Sequence, residues 1–428
     1  MVCHNLPRYQ NNYDNFCRFV HYYKQDYPST SNQEEFYTAE SYRLNGKEIE
    51  AIELKAELLV NGVALDDSAL KGVGKKYKEQ IHWLFEWDFE RHDAGKIPDD
   101  FELPDETIVQ LRKYSKSPFT IKAKNSSLEL LHEGKFITEI KWLPRPEFYS
   151  NKTDDGTTMS QIAQIRGADC LSICYMNYCG YFKTNDQCKF CNIVPTKMEK
   201  KGDVVSHKYV EHIGQTTAVA FKDVAKHAVL TGGWLPDGKE IKQCIETINA
   251  IKKYTGVNSV PGCAITSAPS NESEIHDLHD SGIALLAFDL EIWDPKLFME
   301  ICPGKSKVIG REKWLAALLQ AAEIHGQGKV VSAFVTGLEP KESFLEGAEY
   351  LAGNGVVPIN FVWSPGPGSA YEGQRPPSAQ WYLDLTTKLV DIWEDYGLGS
   401  YEESAAVWCH KCTNNTLYND ELRRRHSA

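Results

Sequence analysis

The chain has 428 residues, 42% of them hydrophobic and 25% charged, with a formal net charge of -12. This is ordinary globular composition with material for a large core, arranged as one large domain with an appendage or as two to three domains. The acidic balance, with no dense basic run interleaved with aromatics, excludes nucleic acid as the main partner, and no apolar run is long enough to span a bilayer.

The first residues, "MVCHNLPRYQNNYDNF", are polar and lack the apolar core of a signal peptide, so a cytoplasmic protein with no membrane partner is expected. Residues 1–150 are mixed and irregular and are expected to form an α+β region of unassigned role. Within them "EAIELKAELLV" (50–60) and "SPFTIKAKNSSLELLHEGKFITEIK" (117–141) suggest strands, the second with turn signals at "KNSS" and "HEGK". The aromatic-rich "KKYKEQIHWLFEWDFERH" between them reads as helical. "LPRPEFYSNKTDDGTTMS" then reads as a connection into a second unit, residues 151–380.

In that unit the chain becomes rhythmic. "DCLSICYMN", "HAVLTGG", "CAITSA", "IALLAFDLEIW", "KVVSAFVTG" and "VVPINFVW" are apolar strand candidates, separated by helical patterns at 239–254, 271–281, 311–325, 340–353 and 378–396. In "REKWLAALLQAAEIHG", Trp314, Leu315, Leu318 and Ala322 share one helix face. Repeated strand–helix–strand units predict an α/β fold, a full or partial (βα) TIM-type barrel of parallel strands, with its chemistry at the C-terminal ends of the strands. Residues 381–428 are a C-terminal helix and tail.

Twelve cysteines are too spread out for a small disulfide scaffold, and in a reducing compartment a local cluster reads as metal-binding or catalytic. Cys179, Cys188 and Cys191 form such a cluster, C-x8-C-x2-C, just after the first rhythmic strand. A structural zinc site would need a fourth ligand, and "CGYFKTNDQCKFCNI" holds no further Cys or His. Cys170 and Cys174 upstream lie on one face of a strand and suit a core. Three thiols without a near fourth fit a 4Fe–4S cluster with one iron open, with zinc the alternative. Cys244 reads as a small buried apolar residue, and Cys3, Cys17 and Cys263 have no partner spacing.

The Cys-(loop)-Cys-x-Phe-Cys array after the first strand of a βα barrel resembles the radical S-adenosylmethionine (SAM) superfamily, whose common spacing is C-x3-C-x2-C. Its first gap here is five residues longer. "LTGGW" stands where the family has a Gly-Gly-Glu type turn, with Trp234 in place of Glu. "AFDLEIWDP" and "VIGREKW" resemble the segments that bring Glu and Arg to SAM in biotin-synthase-like and hydrogenase-maturase-like members. "SAFVTGLEP", with Gly337-Leu338-Glu339, and Pro365 to Ser369 resemble two later motifs of that subgroup. Motifs in this order span about residues 165–375.

The resemblance implies that Cys179, Cys188 and Cys191 hold a 4Fe–4S cluster whose open iron SAM chelates. It implies that Phe190, Thr231, Gly232, Gly233, Glu291 and Arg311 bind SAM, Phe190 near the adenine; Tyr181 and Phe182 in the long gap either wall the SAM site or pack within the loop, the second reading being preferred. The implied activity is reductive cleavage of SAM to a 5′-deoxyadenosyl radical that acts on a small-molecule substrate. The electron donor would be a flavodoxin or ferredoxin, and no residue is assigned as catalytic.

Near the C-terminus, Cys409 and Cys412 with His410 between them form a possible second metal site, with Cys302 as a possible further ligand. If the tail covers the barrel mouth, the pair holds a soft substrate atom. The alternative activity is then transfer of the 3-amino-3-carboxypropyl group of SAM to that acceptor. Lys305 and Lys307 are candidates for an anionic substrate. A metal-binding scaffold or sensor without catalysis is the alternative from another class; it accounts for the thiols but not for the order of the later motifs.

Overall fold

The computed structural model describes residues 41–71, 76–80, 97–199, 205, 208–398 and 412–426, and those from Ala39 onward belong to one unit. A hairpin of Tyr42–Leu44 (β1) and Lys47–Ile49 (β2) leads into helix Ala51–Asn61 (α1), not the strand expected there. Glu50 and Glu53 form a capping box, with Glu53 Oε2 accepting from Glu50 N at 2.8 Å. Ile52, Leu54, Lys55, Ala56, Leu58, Leu59 and Val60 are buried, which leaves α1 only a narrow, partly exposed polar stripe of Glu53, Glu57 and Asn61.

A six-stranded sheet follows, in the order β3-β6-β7-β8-β4-β5: Ala64–Leu65 (β3), Asp100–Glu102 (β4), Ile108–Gln110 (β5), Phe119–Lys124 (β6), Ser127–His132 (β7) and Lys135–Trp142 (β8). Strands β6 to β8 are those expected within 117–141, and their turns pass through Asn125 and Glu133 at φ 55 and 48. Of the stretch expected to be helical, Tyr77 and Glu79 are instead bridged to Pro144 and Pro98, and its residues from 81 on lie outside the described ones.

The second sheet positions the site. Gln164–Arg166 (β9) pairs antiparallel with Cys170–Met176 (β10). His227–Gly232 (β11), Val260–Thr266 (β12), Ile283–Phe288 (β13), Val330–Thr336 (β14) and Val356–Val362 (β15) then add in parallel, in chain order. The sheet curls into a partial barrel of six parallel strands. Helices Ile193–Glu199 (α2), Val210–Asp223 (α3), Lys239–Thr255 (α4), Glu272–Asp280 (α5), Pro295–Ile301 (α6), Pro303–Val308 (α7), Arg311–His325 (α8) and Lys341–Gly353 (α9) fall between strands β10 and β15. Ala379–Asp395 (α10) and Tyr418–His426 (α11) follow, and Trp314, Leu315, Leu318 and Ala322 of α8 are buried as their spacing predicts.

Alternation along β10 sorts its residues. Tyr175 meets Cys244 of α4, whereas Cys170 lines a cavity with Arg166 and Cys263. The parity of Cys170, Ser172, Cys174 and Met176 is therefore the concave one. Two buried cations join the sheets. Arg112 donates to Leu59 O at 2.8 Å and to Val362 O at 2.6 Å. Lys78 donates to Ile165 O at 2.9 Å and pairs with Asp99 and Asp100.

Candidate metal centre at the strand ends

Beyond β10 the chain enters the loop that carries the thiols. Gly180–Thr184 form a 3-10 turn that Asn185 ends in the left-handed region at φ 57. The long gap between Cys179 and Cys188 is thus a folded turn. Tyr181, 4% exposed, lies flat on Trp234 with ring centroids 4.4 Å apart and planes at 3°. Gly180 N donates to Trp234 O at 2.8 Å, and Gly304 N donates to Asp186 O at 2.8 Å. A β-carbon on Gly304 would lie 2.4 Å from Tyr181 Cδ1. The longer gap and the Trp in place of Glu are therefore one feature: the extra residues need an aromatic floor, and Trp234 supplies it.

The glycine pair is required by space. A β-carbon on Gly233 would lie 2.2 Å from Tyr178 O and 2.7 Å from Cys179 Cα, and one on Gly232 would lie 2.9 Å from Met176 Cβ. The second strand thereby fits flush against the start of the thiol loop. Thr231 pairs in register with Cys174, and Phe190, partly buried, packs against the main core.

Cys179, Cys188 and Cys191 share one electrostatic neighbourhood. Burial, then the neighbouring charge of Cys188, pushes the Cys191 thiol up; burial also raises Cys179, with Cys188 adding to it. Cys188 moves the other way, because Cys302 donates a hydrogen bond to it, aided by Lys305. Buried thiols of this kind become thiolates beside a positive centre. The donor set and the glycine cradle thus fit a cluster held by three thiolates, and Cys302 is a fourth sulfur in direct contact with the set.

Glu291 also reaches this neighbourhood. It has φ 73, unusual for a side chain other than Gly, and is bridged to Phe334. Burial pushes its carboxyl up to about 7, against the attraction of Lys305. Lys305 Nζ lies 2.8 Å from Glu291 Oε1, donates to Asp289 O at 2.6 Å and sits 4.6 Å over the Trp314 ring. Lys307 pairs with Asp186. Both lysines proposed for an anionic substrate are thus engaged within the protein.

Arg311 opens α8 with its guanidinium 4.4 Å over the Trp293 ring; Nε donates to Trp293 O at 3.0 Å and Nη1 meets Glu312 at 3.1 Å. Glu339 of the Gly-Leu-Glu turn accepts from Trp293 N at 2.9 Å and Asp294 N at 3.0 Å. Pro365 to Ser369 pack onto the thiol loop: Asn192 Nδ2 donates to Pro367 O at 3.2 Å, and a β-carbon on Gly368 would lie 2.4 Å from Pro195 Cβ. Motifs scattered over the sequence from 165 to 375 meet here.

Cys412 lies elsewhere. Its sulfur is 2.6 Å from Asp169 Oδ1 and 3.1 Å from His227 Nε2, at the N-terminal ends of β10 and β11. The length of β10, six residue-to-residue steps of roughly 3.3 Å each, separates that end from the thiol loop by about 20 Å. The expectation that Cys302 joins Cys412 is corrected: Cys302 contacts Cys188 instead. Cys409 and His410 lie outside the described residues. Cys244 is buried in α4, as its helical spacing predicts.

Lys208 has no sequence signature. It is 4% exposed, sits beside Cys174 on the concave parity of β10, and its ammonium has no hydrogen-bond partner among the described residues. Burial pushes it down to about 8.

No family model matches the chain. It is similar to bacteriochlorophyllide c C-7(1)-hydroxylase of Chlorobaculum limnaeum, 25% identical over 306 residues that cover 68% of this chain and 75% of the relative. Among solved structures it is similar to methylornithine synthase, at 17% identity and TM-score 0.41, covering 58% of this chain and 71% of that one. It is also similar to the FeFe-hydrogenase maturase HydG of Carboxydothermus hydrogenoformans, at 17% identity and TM-score 0.40, covering 55% and 54%. A further similar structure is coproporphyrinogen III oxidase of Escherichia coli, a radical SAM enzyme, at 14% identity and TM-score 0.35, covering 59% and 58%. The chain thus combines a partial barrel of parallel strands with a thiol loop beyond its first strand that packs against a glycine pair on its second, the order in which the sequence motifs run.

Proposed function

We propose that Cys179, Cys188 and Cys191 hold the 4Fe–4S cluster, that Gly232, Gly233, Thr231 and Phe190 form the floor of the SAM seat, and that Glu291 borders it. Arg311 serves the seat indirectly, clamping Trp293 and so the loop that follows Glu291. When bound, the reduced cluster supplies one electron for cleaving the sulfonium of SAM and with it an entry to carbon-radical chemistry. The chain's own residues seat the cofactor, shape the thiol loop through Tyr181 and Trp234, and bury the reacting region. The observation that carries this reading is the close approach of Gly233 to Cys179.

The substrate is a small molecule with an anionic group, for which the buried ammonium of Lys208 is the partner. The reaction is functionalisation of a C–H bond, a class consistent with the similar protein named as a hydroxylase. Transfer of the 3-amino-3-carboxypropyl group to an acceptor on Cys412 is disfavoured, because the length of β10 lies between that thiol and the thiol loop. The electron donor is a flavodoxin or ferredoxin.

The test is anaerobic reduction of the iron-loaded chain with SAM, followed by identification of the nucleoside released. 5′-Deoxyadenosine that depends on all three cysteines supports the proposal. 5′-Methylthioadenosine replaces it with the transfer reaction. A colourless protein that releases neither ends it. Small carboxylic acids or phosphates that stimulate release should lose that effect in Lys208→Met.

A further inference from the structure

Cys170, His227 and Cys412 come together at the end of the sheet away from the thiol loop. The parallel register pairs Cys170 with His227, the first residues of β10 and β11. Paired residues of adjacent strands lie on one face about 4.8 Å apart. The C-terminal segment adds Cys412 from 185 residues beyond His227. Cys170, His227 and Cys412 are 2%, 6% and 4% exposed, and their ligand atoms lie within 4.8 Å of one another. In a tetrahedral site with Zn–S bonds of about 2.3 Å, ligand atoms stand about 3.8 Å apart. The trio is close to that spacing before any ion enters.

Charge also fits. Two thiolates neutralise a divalent cation, and the imidazole enters neutral. The carboxylate of Asp169, with Oδ1 2.6 Å from Cys412 Sγ, has the ammonium of Lys226 at 4.0 Å, and the guanidinium of Arg166 lines the cavity and donates to Cys412 O at 3.2 Å. Two sulfurs and an imidazole are soft to borderline donors of the kind zinc takes in structural sites.

We propose that Cys170, His227 and Cys412 hold a zinc ion, separate from the iron–sulfur cluster. Binding releases the two thiol protons and changes no oxidation state. The ion fastens the C-terminal segment to the starts of β10 and β11, which hydrogen bonds from Lys55 to Thr413 O and to Asp420 then tie to α1.

The test is metal analysis of the full chain, purified anaerobically from zinc-supplemented cells. One equivalent of zinc is expected in the wild type. It is expected to persist in a Cys179→Ala, Cys188→Ala, Cys191→Ala triple variant that has lost its iron, and to fall to background in Cys170→Ser and Cys412→Ser. Zinc missing from the wild type, zinc that disappears with the cluster thiols, or zinc retained in Cys412→Ser overturns the proposal. Because either serine variant can fail to fold, cobalt exchange into the wild-type chain gives an independent reading. A thiolate-to-cobalt charge-transfer band together with tetrahedral ligand-field bands is expected, and a spectrum without thiolate character overturns the assignment.

Discussion

Gly233 and Cys179 approach so closely that a β-carbon on the glycine would lie 2.6 Å from Cys179 Cβ. Its other contacts are the backbone of Tyr178 and Cys179, which cannot swing aside as a side chain would. Gly233→Ala is therefore expected to displace the first cluster ligand and to cost most of the brown iron–sulfur absorbance. Gly353→Ala is the control, because its β-carbon would meet Tyr396 at an ordinary 3.4 Å. That variant should keep the cluster and gain slightly in helix stability. Iron and sulfide content of the two purified variants decides the matter.

The stack of Tyr181 on Trp234 should be energetically coupled. Aromatic pairs add about 0.5–1.5 kcal/mol beyond burial. In a double-mutant cycle on the anaerobic holoenzyme, Tyr181→Leu and Trp234→Leu should each destabilise, and the double variant should lose less than the two together by about 1 kcal/mol. Each single variant should also release its cluster faster in air than the wild type. Additive effects would mean that the turn in the long gap stands without the aromatic floor.

These two cases show how far the sequence could be read. The six parallel strands were legible because each is a short apolar run between turn signals and amphipathic helices, and the order of strand-end motifs placed the thiols, the glycines and Glu291 together. Three other features were hidden. Helix α1 shows Ile52, Leu54, Ala56 and Leu58 in alternation, which imitates a strand and masks the narrow helical stripe of Glu53, Glu57 and Asn61. Residue spacing gave no hint that Trp234 and the long gap compensate each other, since they lie on different strand ends. The partners of Cys412 are set by the register of β10 on β11 and by a chain reversal across the whole barrel, so the sequence offered only its neighbours Cys409 and His410, with Cys302 as a further candidate.

Glu291 and Lys305 form an ion pair that burial makes costly to break. Their side chains are 16% and 12% exposed, and the contact is 2.8 Å. Removing one partner of such a pair costs about 3–5 kcal/mol, whereas replacing both by neutral groups is far milder. Lys305→Met should therefore be strongly destabilised, and Glu291→Gln combined with Lys305→Met should recover most of the loss. If Glu291 borders the SAM seat, the double variant should still bind SAM more weakly than the wild type. Thermal unfolding with and without SAM separates the two effects.

His325 is expected to set part of the acid limit of the fold. It ends α8 with Nε2 3.0 Å from Ala284 O and Nδ1 2.9 Å from His279 Nδ1. With Nε2 donating to the carbonyl, Nδ1 is left to accept from His279, so the neutral ring is fully used. Burial, with His279 and Lys329 nearby, holds its pKa down at about 4, below the ordinary 6.5. Between those values the unfolded chain binds a proton that the folded chain does not. Stability from this group is thus fully present above pH 6.5 and is lost as pH falls toward 4. The loss is on the order of 2–3 kcal/mol. Urea unfolding across this range should show the decline in the wild type and a flatter profile in His325→Leu, which starts less stable because the Ala284 and His279 bonds are gone. An unchanged slope in the variant would place the acid sensitivity on another group.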